Sequence, residues 1–588
     1  MEWTKYRPLT DEMAFTNGEA TIVSLENGSF NEDHGVWMGS NKLLDSIITM
    51  VSVNSKIIPL HRRCTMMTAS PAWINRVYDV EGLSLEDRVF IPQKLKAIRL
   101  SYYYRALKPE GLNFDLILDI MPSKGKKAII AKTHEPAIFL KSLDKGYIGC
   151  ISFTEKPLKI EFFNDKKNDN LREGVRVTFR LHAVLQRLSQ LDITIIGDQA
   201  TIEECTKNAQ YTLAMQYYDN EKHLRESFEN SMYIRSLRRE LDQAFTWSKI
   251  QLLSSTNSNF GLKTSLRDEV VDVGKALWCI DGLCSLGAFD AVERILMTTS
   301  RQLIKGDYEK DIVPLFLMGL STYYQWKGDV DLPLILREEV AHIIDTCNRR
   351  LKDLHPMDRK LTLNALSALK SILPDLEANV PRALSLKGIF GLLCNFTDEE
   401  LKAFNAKVNV PSLMASFMSI RFFENALYSE GLAIIESMAS EITNKSPLHP
   451  LTPRIDCLST SLYISSVTRG LLGLNVNAEK MSIQLTPYLP LGVNELEVGN
   501  IPIGSNKLTF RLDIKGDEVN LRVNNQGSEK VDSLLGFTIK EKVEEVSAVT
   551  DHGIIDVEVQ RLKEYTKVMI RDALEGKSTR TYTFNLER

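Results

Sequence analysis

The strongest constraint on the fold is that the spacing of apolar residues changes twice along the chain. Up to about residue 205, short alternating runs are separated by turns such as Asn-Gly and Lys-Gly, a pattern typical of antiparallel strands. From about 206 to 475, apolar residues recur every three to four positions, which predicts helices. After 475 the strand pattern returns, with hairpin turns predicted at Lys515-Gly516-Asp517 and Asn525-Gln526-Gly527.

These changes predict a multidomain α+β protein, because 588 residues are too many for a single core. Residues 1–205 are expected to form an antiparallel β-sandwich, 206–475 an (α/α)6 toroid of six helical hairpins, and 476–588 a β-domain. Mostly apolar helices alternate with amphipathic ones, as the inner and outer rings of a toroid require. An open solenoid is the alternative, although no fixed repeat supports it. The charged, periodic segment 223–253 predicts one long helix.

The bulk composition excludes several classes of partner. A net charge of −4 provides no basic field for nucleic acid, and no apolar run reaches the roughly 20 residues that span a bilayer. No secretory signal is visible at the start, and the eight cysteines are scattered without a CxxC pair. We therefore expect a cytoplasmic protein with reduced thiols, without a metal site or an organic cofactor. The sequence does not indicate the oligomeric state.

One motif points to a family. The segment DIVPLFLMGLSTYYQWKGD (311–329) places a carboxylate before a long apolar run that ends in Trp-Lys-Gly-Asp. It is very like the Asp-Ala-x-Pro-Leu-Phe-Leu helix of the glycogen-debranching (amylo-α-1,6-glucosidase-like) family of helical-toroid glycosidases. Four further segments are similar to that family: GVWMGSNKLLDSIITMVSVNSKIIPL (35–60), AFTWSKIQLL (244–253), LRDEVVDVGKALW (266–278) and ASEITNKSPLHPLTPRIDC (439–457). The chain resembles a divergent member over most of its length.

The resemblance implies a set of site residues and a carbohydrate as the partner. It carries the general acid onto Asp311 and the general base onto Glu441, and it makes Arg267 and Asp268 the residues that hold the terminal sugar. The remaining substrate-binding candidates are three aromatic platforms and two residues of the Pro-rich segment: Trp278, Tyr323, Trp326, His449 and Arg454.

The chemistry of glycoside hydrolysis explains why two carboxyls are needed. One delivers a proton to the leaving oxygen, and the other activates water on the opposite face of the sugar, from about 6.5–9.5 Å away in an inverting enzyme. Asp311 and Glu441 are 130 positions apart, so a closed ring of helices would be needed to bring them together. The apolar residues after Asp311 would raise the pKa of its carboxyl by desolvation, as an acid catalyst requires.

Each site residue also has a structural interpretation. Asp311 can be a helix N-cap with proline in the first turn, Arg267 and Asp268 ordinary first-turn charges, Glu441 a solvated helix-end residue, and the tryptophans core. The chain also has AFNAKVNVPSLMASF (403–417) where the family has a glycine-rich loop. The predicted function is hydrolysis of an α-glucan or a related oligosaccharide. The alternatives are hydrolysis of a small glucosyl or mannosyl conjugate, and a catalytically silent carbohydrate-binding paralogue.

Overall fold

Sheets form the two ends of the chain and helices form its middle. The structure is a computed structural model that describes residues 2–93, 95–131, 137–142, 146–167, 170–215, 217–235, 238–258, 260–264, 271–305, 312–329, 331–350, 411–445, 456–551 and 553–587.

The N-terminal region contains seventeen strands within the described residues. They are β1 (Trp3–Tyr6), β2 (Glu12–Thr16), β3 (Ala20–Leu25), β4 (Gly35–Met38), β5 (Asn41–Val53), β6 (Lys56–Pro59), β7 (Cys64–Ala69), β8 (Trp73–Val80), β9 (Leu83–Phe90), β10 (Ala97–Ala106), β11 (Leu112–Pro122), β12 (Lys126–Ala131), β13 (Ala137–Ser142), β14 (Ile148–Phe153), β15 (Lys159–Lys167), β16 (Asn170–Ala183) and β17 (Ser189–Gln199).

These strands build two sheets in which neighbouring strands run antiparallel. One has the order β1-β7-β8-β9-β10-β17-β14-β13-β12, and the other β15-β16-β11-β5-β4-β3-β2 with β6 beside β5. Apolar side chains from both sheets, such as Leu100 and Leu116, belong to one core. Tyr102 of the first sheet also shares a hydrogen bond of 2.7 Å with Thr49 of the second. The antiparallel N-terminal domain predicted from the alternating pattern is confirmed.

The middle of the chain is helical. Among the described residues its helices are α1 (Ile202–Ala214), α2 (Tyr217–Asn230), α3 (Arg239–Ser254), α4 (Val273–Trp278), α5 (Ile280–Ser285), α6 (Phe289–Lys305), α7 (Ile312–Lys327), α8 (Asp331–Ile335), α9 (Arg337–Arg350), α10 (Pro411–Glu424), α11 (Tyr428–Lys445) and α12 (Cys457–Ser465), which continues into a π-helical turn over Ser466–Leu471. The six-hairpin toroid stays a prediction, because residues 351–410 lie outside the described residues.

The most buried helices run in one direction. Ser461, early in α12, donates a hydrogen bond of 3.1 Å to the carbonyl of Cys279 between α4 and α5. Ser416 of α10 donates to the carbonyl of Leu462 at 3.1 Å, and further along both helices Gly470 lies close to Ile420. The last turn of α7 meets the chain beyond α12, because the Ala478 N–H donates to the carbonyl of Gln325 at 2.9 Å. We conclude that α4–α5, α7, α10 and α12 are parallel.

The prediction of one helix over 223–253 is wrong in its middle. Residues Tyr233–Arg235 form a short strand, β18, which pairs antiparallel with Glu497–Gly499 of the C-terminal domain. The side chain of Tyr233 lies over Gly499, where an added Cβ would come within 2.2 Å of the ring. Pairing and burial at this distant partner override the local helical periodicity.

The C-terminal strands form two further sheets. They are β19 (Asn475–Asn477), β20 (Ser482–Leu485), β21 (Tyr488–Leu489), β22 (Glu495–Ile503), β23 (Asn506–Lys515), β24 (Glu518–Asn525), β25 (Val531–Ile539), β26 (Glu545–Thr550), β27 (Gly553–Ile555), β28 (Glu558–Leu562), β29 (Tyr565–Leu574) and β30 (Ser578–Glu587). One sheet has the order β18-β22-β23-β24-β30-β26-β27. The other has the order β19-β20-β25-β29-β28, with β20 and β21 parallel to β25.

The predicted turn at Lys515-Gly516-Asp517 is confirmed as the β23–β24 hairpin, where Gly516 has φ +61°. The hairpin predicted at Asn525-Gln526-Gly527 is wrong, because β24 pairs with β23 and β30 while the next strand, β25, belongs to the other sheet. One apolar core runs continuously from the helices into the C-terminal sheets, whereas the N-terminal sheets have their own.

Candidate functional site

The parallel buried helices all begin at the same end of the helical region. We call this end, defined by Val273, Ile312, Pro411 and Cys457 at the starts of α4, α7, α10 and α12, the helix-start face. Backbone N–H groups at helix starts have no partner within the helix and carry partial positive charge. A face where several such starts converge suits oxygen-rich ligands, provided that side chains also line it.

Five of the predicted site residues lie outside the described residues, namely Arg267, Asp268, Asp311, His449 and Arg454. In the sequence they come one to eight positions before helices of this face. Asp311 comes immediately before Ile312, Arg267 and Asp268 come shortly before Val273, and His449 and Arg454 come shortly before Cys457.

Glu441, the predicted base, lies in the last turns of α11 and its side chain is exposed. A short turn reverses the chain between α10 and α11, with the Leu427 N–H donating to the carbonyl of Phe422 at 2.8 Å. The end of α11 therefore lies beside the start of α10. Glu441 is at the helix-start face but on a helix outside the parallel set.

The three aromatic candidates are buried in the helical core. Trp278 ends α4 about 8 Å along the axis from its start, and its ring lies 5.6 Å from that of Phe417. Tyr323 and Trp326 are near the end of α7, about 16 and 21 Å from Ile312. Tyr323 donates to Glu293 at 2.7 Å, and Trp326 is fully buried. The structure brings neither Tyr323 nor Trp326 to the helix-start face.

Two carboxylates that the sequence analysis did not single out lie on this face. Asp272 caps α4 by accepting from the Lys275 N–H at 3.0 Å, and Asp456 caps α12 by accepting from the Ser459 N–H at 2.8 Å. Both side chains are exposed. Both carboxylates are near the buried thiol of Cys279. Burial raises the pKa of this thiol, and the two negative charges raise it further. The Asp-x-x-Ser spacing before the apolar run of α12 was a readable capping signal.

The cysteines at this face are not candidate nucleophiles. Cys457 is the first residue of α12, a position that ordinarily favours the thiolate. Burial nevertheless raises the pKa of the Cys457 thiol to about 12. Its sulfur lies 3.3 Å from the carbonyl oxygen of Lys263. Cys457 therefore stays protonated at neutral pH and serves packing.

A polar joint attaches the N-terminal sheets to the helix-start face. Lys263 is buried, and its Nζ donates to Thr21 Oγ1 at 3.2 Å and to the carbonyl of Gly39 at 3.0 Å. Glu19, in the turn before β3, accepts from the N–H and hydroxyl of Ser258. Burial lowers the pKa of Lys263 to about 8, and the nearby Glu19 opposes part of this effect. The joint therefore contains a lysine whose protonation is sensitive near neutral pH.

Three further features of the described residues bear on other kinds of site. No group of three or more His, Cys, Asp or Glu side chains in the described part of the chain is arranged to hold a metal ion. Of the helices that can be described, none is both long and apolar enough to cross a membrane. The six cysteines whose side chains are described are all buried free thiols.

Comparison with known proteins gives the fold. No family model and no curated protein matches the sequence. Among solved structures, a human-microbiome protein assigned as a kojibiose phosphorylase matches with a TM-score of 0.67 at 8% identity, over 97% of this chain and 98% of that one.

Two further structures match with lower TM-scores. A bacterial glucoamylase complexed with acarbose has a TM-score of 0.43 at 11% identity, over 64% of this chain and 67% of that chain. The α-L-rhamnosidase from Dictyoglumus thermophilum has a TM-score of 0.40 at 9% identity, over 99% and 86%. The first match covers both chains almost completely, so this chain shares the fold of that protein.

Proposed function

We propose that this chain is an enzyme that cleaves α-glucosidic bonds in an oligosaccharide at the helix-start face. The observation that carries the proposal is the parallel packing of α4, α7 and α12. In the sequence, the predicted acid and substrate-binding residues come one to eight positions before these three helices. The full-length likeness to a kojibiose phosphorylase supports a sugar as substrate. The resemblance to glycogen-debranching enzymes supports an α-glucan or a fragment of one.

In this proposal Asp311 is the general acid. It gives its proton to the glycosidic oxygen as the bond to the anomeric carbon breaks. Glu441 takes a proton from a water molecule that attacks the anomeric carbon from the opposite face, which gives hydrolysis with inversion. Arg267 and Asp268 would hydrogen-bond the hydroxyls of the terminal sugar. The cytoplasmic location forms part of the same proposal and is supported by the buried free thiols.

A second candidate is phosphorolysis, in which phosphate replaces water as the nucleophile. Two observations favour it: the likeness to a kojibiose phosphorylase, and the exposure of Glu441 on a helix outside the parallel set. A phosphate oxygen would then attack the anomeric carbon, and the leaving oxygen would still take its proton from Asp311. The products would be a sugar phosphate and a shortened saccharide, and no base would be needed.

The test is turnover of kojibiose, maltooligosaccharides, limit dextrin and aryl glycosides by wild type, Asp311→Asn and Glu441→Gln, with and without inorganic phosphate. Loss of a general acid or base reduces rate by roughly 10²–10⁴-fold. Hydrolysis predicts this loss in both variants without phosphate. Phosphorolysis predicts phosphate-dependent turnover that Asp311→Asn abolishes and Glu441→Gln spares.

Matched controls are Asp272→Asn and Asp456→Asn, which change exposed carboxylates on the same face. Asparagine caps helices about as well as aspartate, so folding should be preserved. We expect both controls to retain turnover within a few-fold. Full activity in Asp311→Asn would contradict the proposal. Sugar binding by calorimetry without turnover would instead identify a silent carbohydrate-binding paralogue.

A further inference from the structure

A second candidate site lies at the opposite end of the buried helices, where they meet the C-terminal sheets. A cavity of about 410 Å³ opens between the end of α10, the π-helical turn after α12 and the strands β20 and β28–β29. This volume falls within the range of small-molecule sites, about 300–1,000 Å³. The cavity is separate from the helix-start face, and neither Asp311 nor Glu441 lines it.

The cavity wall combines hydrogen-bonding groups with flat aromatic surfaces. Its polar side chains include Glu424, Arg469, Asn475, Gln484, Gln560 and Lys567. Three aromatic residues complete it: Phe423, Tyr428 and Tyr488. The set offers a carboxylate acceptor, amides that both donate and accept, and two cationic donors. Such a mixture suits a ligand rich in hydroxyl groups more than a purely apolar or a strongly anionic one.

The backbone next to Arg469 forms part of the cavity wall. Arg469 lies in the π-helical turn Ser466–Leu471, and turns of this kind are frequent at functional sites. Gly470 packs directly on Phe423, with 3.0 Å between an added Cβ and the ring. Gly473 has φ +56° and lies against Thr486, so the chain can turn sharply from the helix into the sheet. Side chains at either glycine would crowd the cavity wall.

Arg469 keeps donors available for a ligand. Its Nη2 donates to Asp281 at 2.7 Å and to Gln325 at 3.4 Å. A guanidinium carries five N–H donors, so the Asp281 contact fixes the side chain without using all of them. Lys567 is partly buried on the same wall, and desolvation lowers its pKa.

A neighbouring cavity suggests that the ligand is extended. This second cavity, of about 490 Å³, lies along β19, β20 and the start of β25. Asn475 and Gln484 line both cavities. A compact ligand would need only one of them, whereas a chain of sugar units could continue from one into the other.

We propose that these two adjoining cavities form a non-catalytic binding site for a neutral oligosaccharide. Gln484 contacts the chain where it passes between the cavities, and Lys567 and Arg469 donate to hydroxyls in the first. The stacked Tyr428 and Tyr488, with ring centroids 5.1 Å apart, provide an apolar side to that cavity. The site would hold the saccharide away from the helix-start face.

The experiment is calorimetric titration of the full-length chain with glucose, maltose and maltotetraose, using wild type, Gln484→Ala and Lys567→Ala. Both side chains are only partly buried, so folding should survive. We expect maltotetraose to bind more tightly than glucose, and each variant to bind it about five- to tenfold more weakly, as loss of one hydrogen bond predicts. Gln526→Ala and Lys515→Ala, exposed on the other C-terminal sheet, should bind like wild type.

Turnover of an aryl glycoside separates this proposal from the catalytic one. The cavity variants should keep wild-type turnover, whereas Asp311→Asn should lose turnover and keep the Gln484-dependent binding of maltotetraose. Equal maltotetraose affinity in wild type and both cavity variants would overturn the proposal, and so would no binding of any of the three sugars by the wild-type chain.

Discussion

The two sheet regions are attached to the helices in different ways. On the C-terminal side, one continuous apolar core includes residues of the helices and of both sheets, and backbone hydrogen bonds such as Gly504 N–H to the Trp326 carbonyl at 2.9 Å join them. A fully buried Asp281 pairs with Arg469 at 2.7 Å close to this junction. On the N-terminal side, the sheets have a core of their own. Their joint to the helices combines a small apolar cluster, in which Trp73 packs with Phe228 and Ile250, with polar groups such as Lys263 and Glu19.

From this difference we predict two units of folding, with the helices and the C-terminal sheets together in one of them. Apolar burial is roughly proportional to area and dominates stability, so a shared core makes helices and C-terminal sheets unfold together. The N-terminal joint buries only a small apolar cluster, and part of it depends on the protonation of Lys263. Mutations at the two junctions should therefore differ in how much they lower the free energy of unfolding and in how many elements lose exchange protection.

The largest effect is expected for Asp281→Ala. The substitution leaves the largely buried guanidinium of Arg469 beside Trp326 without its carboxylate, and breaking one partner of a buried pair costs about 3–5 kcal/mol. Hydrogen exchange followed by mass spectrometry should show lost protection in the helices and the C-terminal strands together, with the N-terminal sheets unchanged.

The control for this substitution is Asp290→Ala, at an exposed position of α6. Its effect should stay within about 0.5 kcal/mol. If Asp281→Ala loosened the helices but left the C-terminal strands fully protected, the two would be separate units and the comparison would fail.

An intermediate effect, dependent on pH, is expected at Lys263. The folded pKa of about 8 is below the ordinary value of 10.5, so the unfolded chain binds more protons between these values and stability rises with pH across this window. The free energy of unfolding of wild type minus that of Lys263→Met should increase by on the order of 2–3 kcal/mol from pH 7.5 to 10.5. Denaturant titrations at several pH values measure it.

Lys275→Met is the matched control, because Lys275 is exposed on α4. The difference between wild type and this control should stay flat over the same pH range. A flat curve for Lys263→Met as well would mean that the lysine reaches solvent in the folded protein.

The smallest effect is expected for Glu19→Gln. The amide retains the shape of the carboxylate but replaces charge-assisted hydrogen bonds to Ser258 with neutral ones, a difference of about 1 kcal/mol. Exchange should accelerate in residues 256–264 and in the turn before β3, without change in the C-terminal sheets. The exposed Glu32→Gln serves as control, and an equal response to both substitutions would argue against a joint at Glu19.

Local patterns in the sequence were sufficient for the order of sheets and helices. Alternation and turn residues predict strands because successive side chains point to opposite faces, and Lys515-Gly516-Asp517 forms the expected hairpin. The start of α12 could also be predicted, because Asp456 is followed three positions later by Ser459 at the beginning of an apolar run. These features depend on neighbours within a few positions.

Features that depend on distant partners could not be predicted in this way. Strand β18 interrupts a helical pattern because its partner, Gly499, lies far along the chain. The cavity beside Arg469 draws on separate segments around positions 420–428, 469–488 and 560–567, none of which has an unusual local pattern. The placement of Tyr323 and Trp326 in the core likewise depends on the direction of α7, whose last turn contacts the C-terminal region.

The crossing of β18 to the final domain has a consequence for synthesis. Tyr233 emerges from the ribosome 264 residues before Glu497, with which it hydrogen-bonds, so at about 5–20 residues per second this strand waits roughly 13–50 s for its partner. During that interval the nascent chain exposes an unpaired strand edge, while much of the helical region that follows has already been synthesised. Chains arrested before residue 495 should therefore be cleaved by protease near Tyr233, and chains released at full length should be protected there.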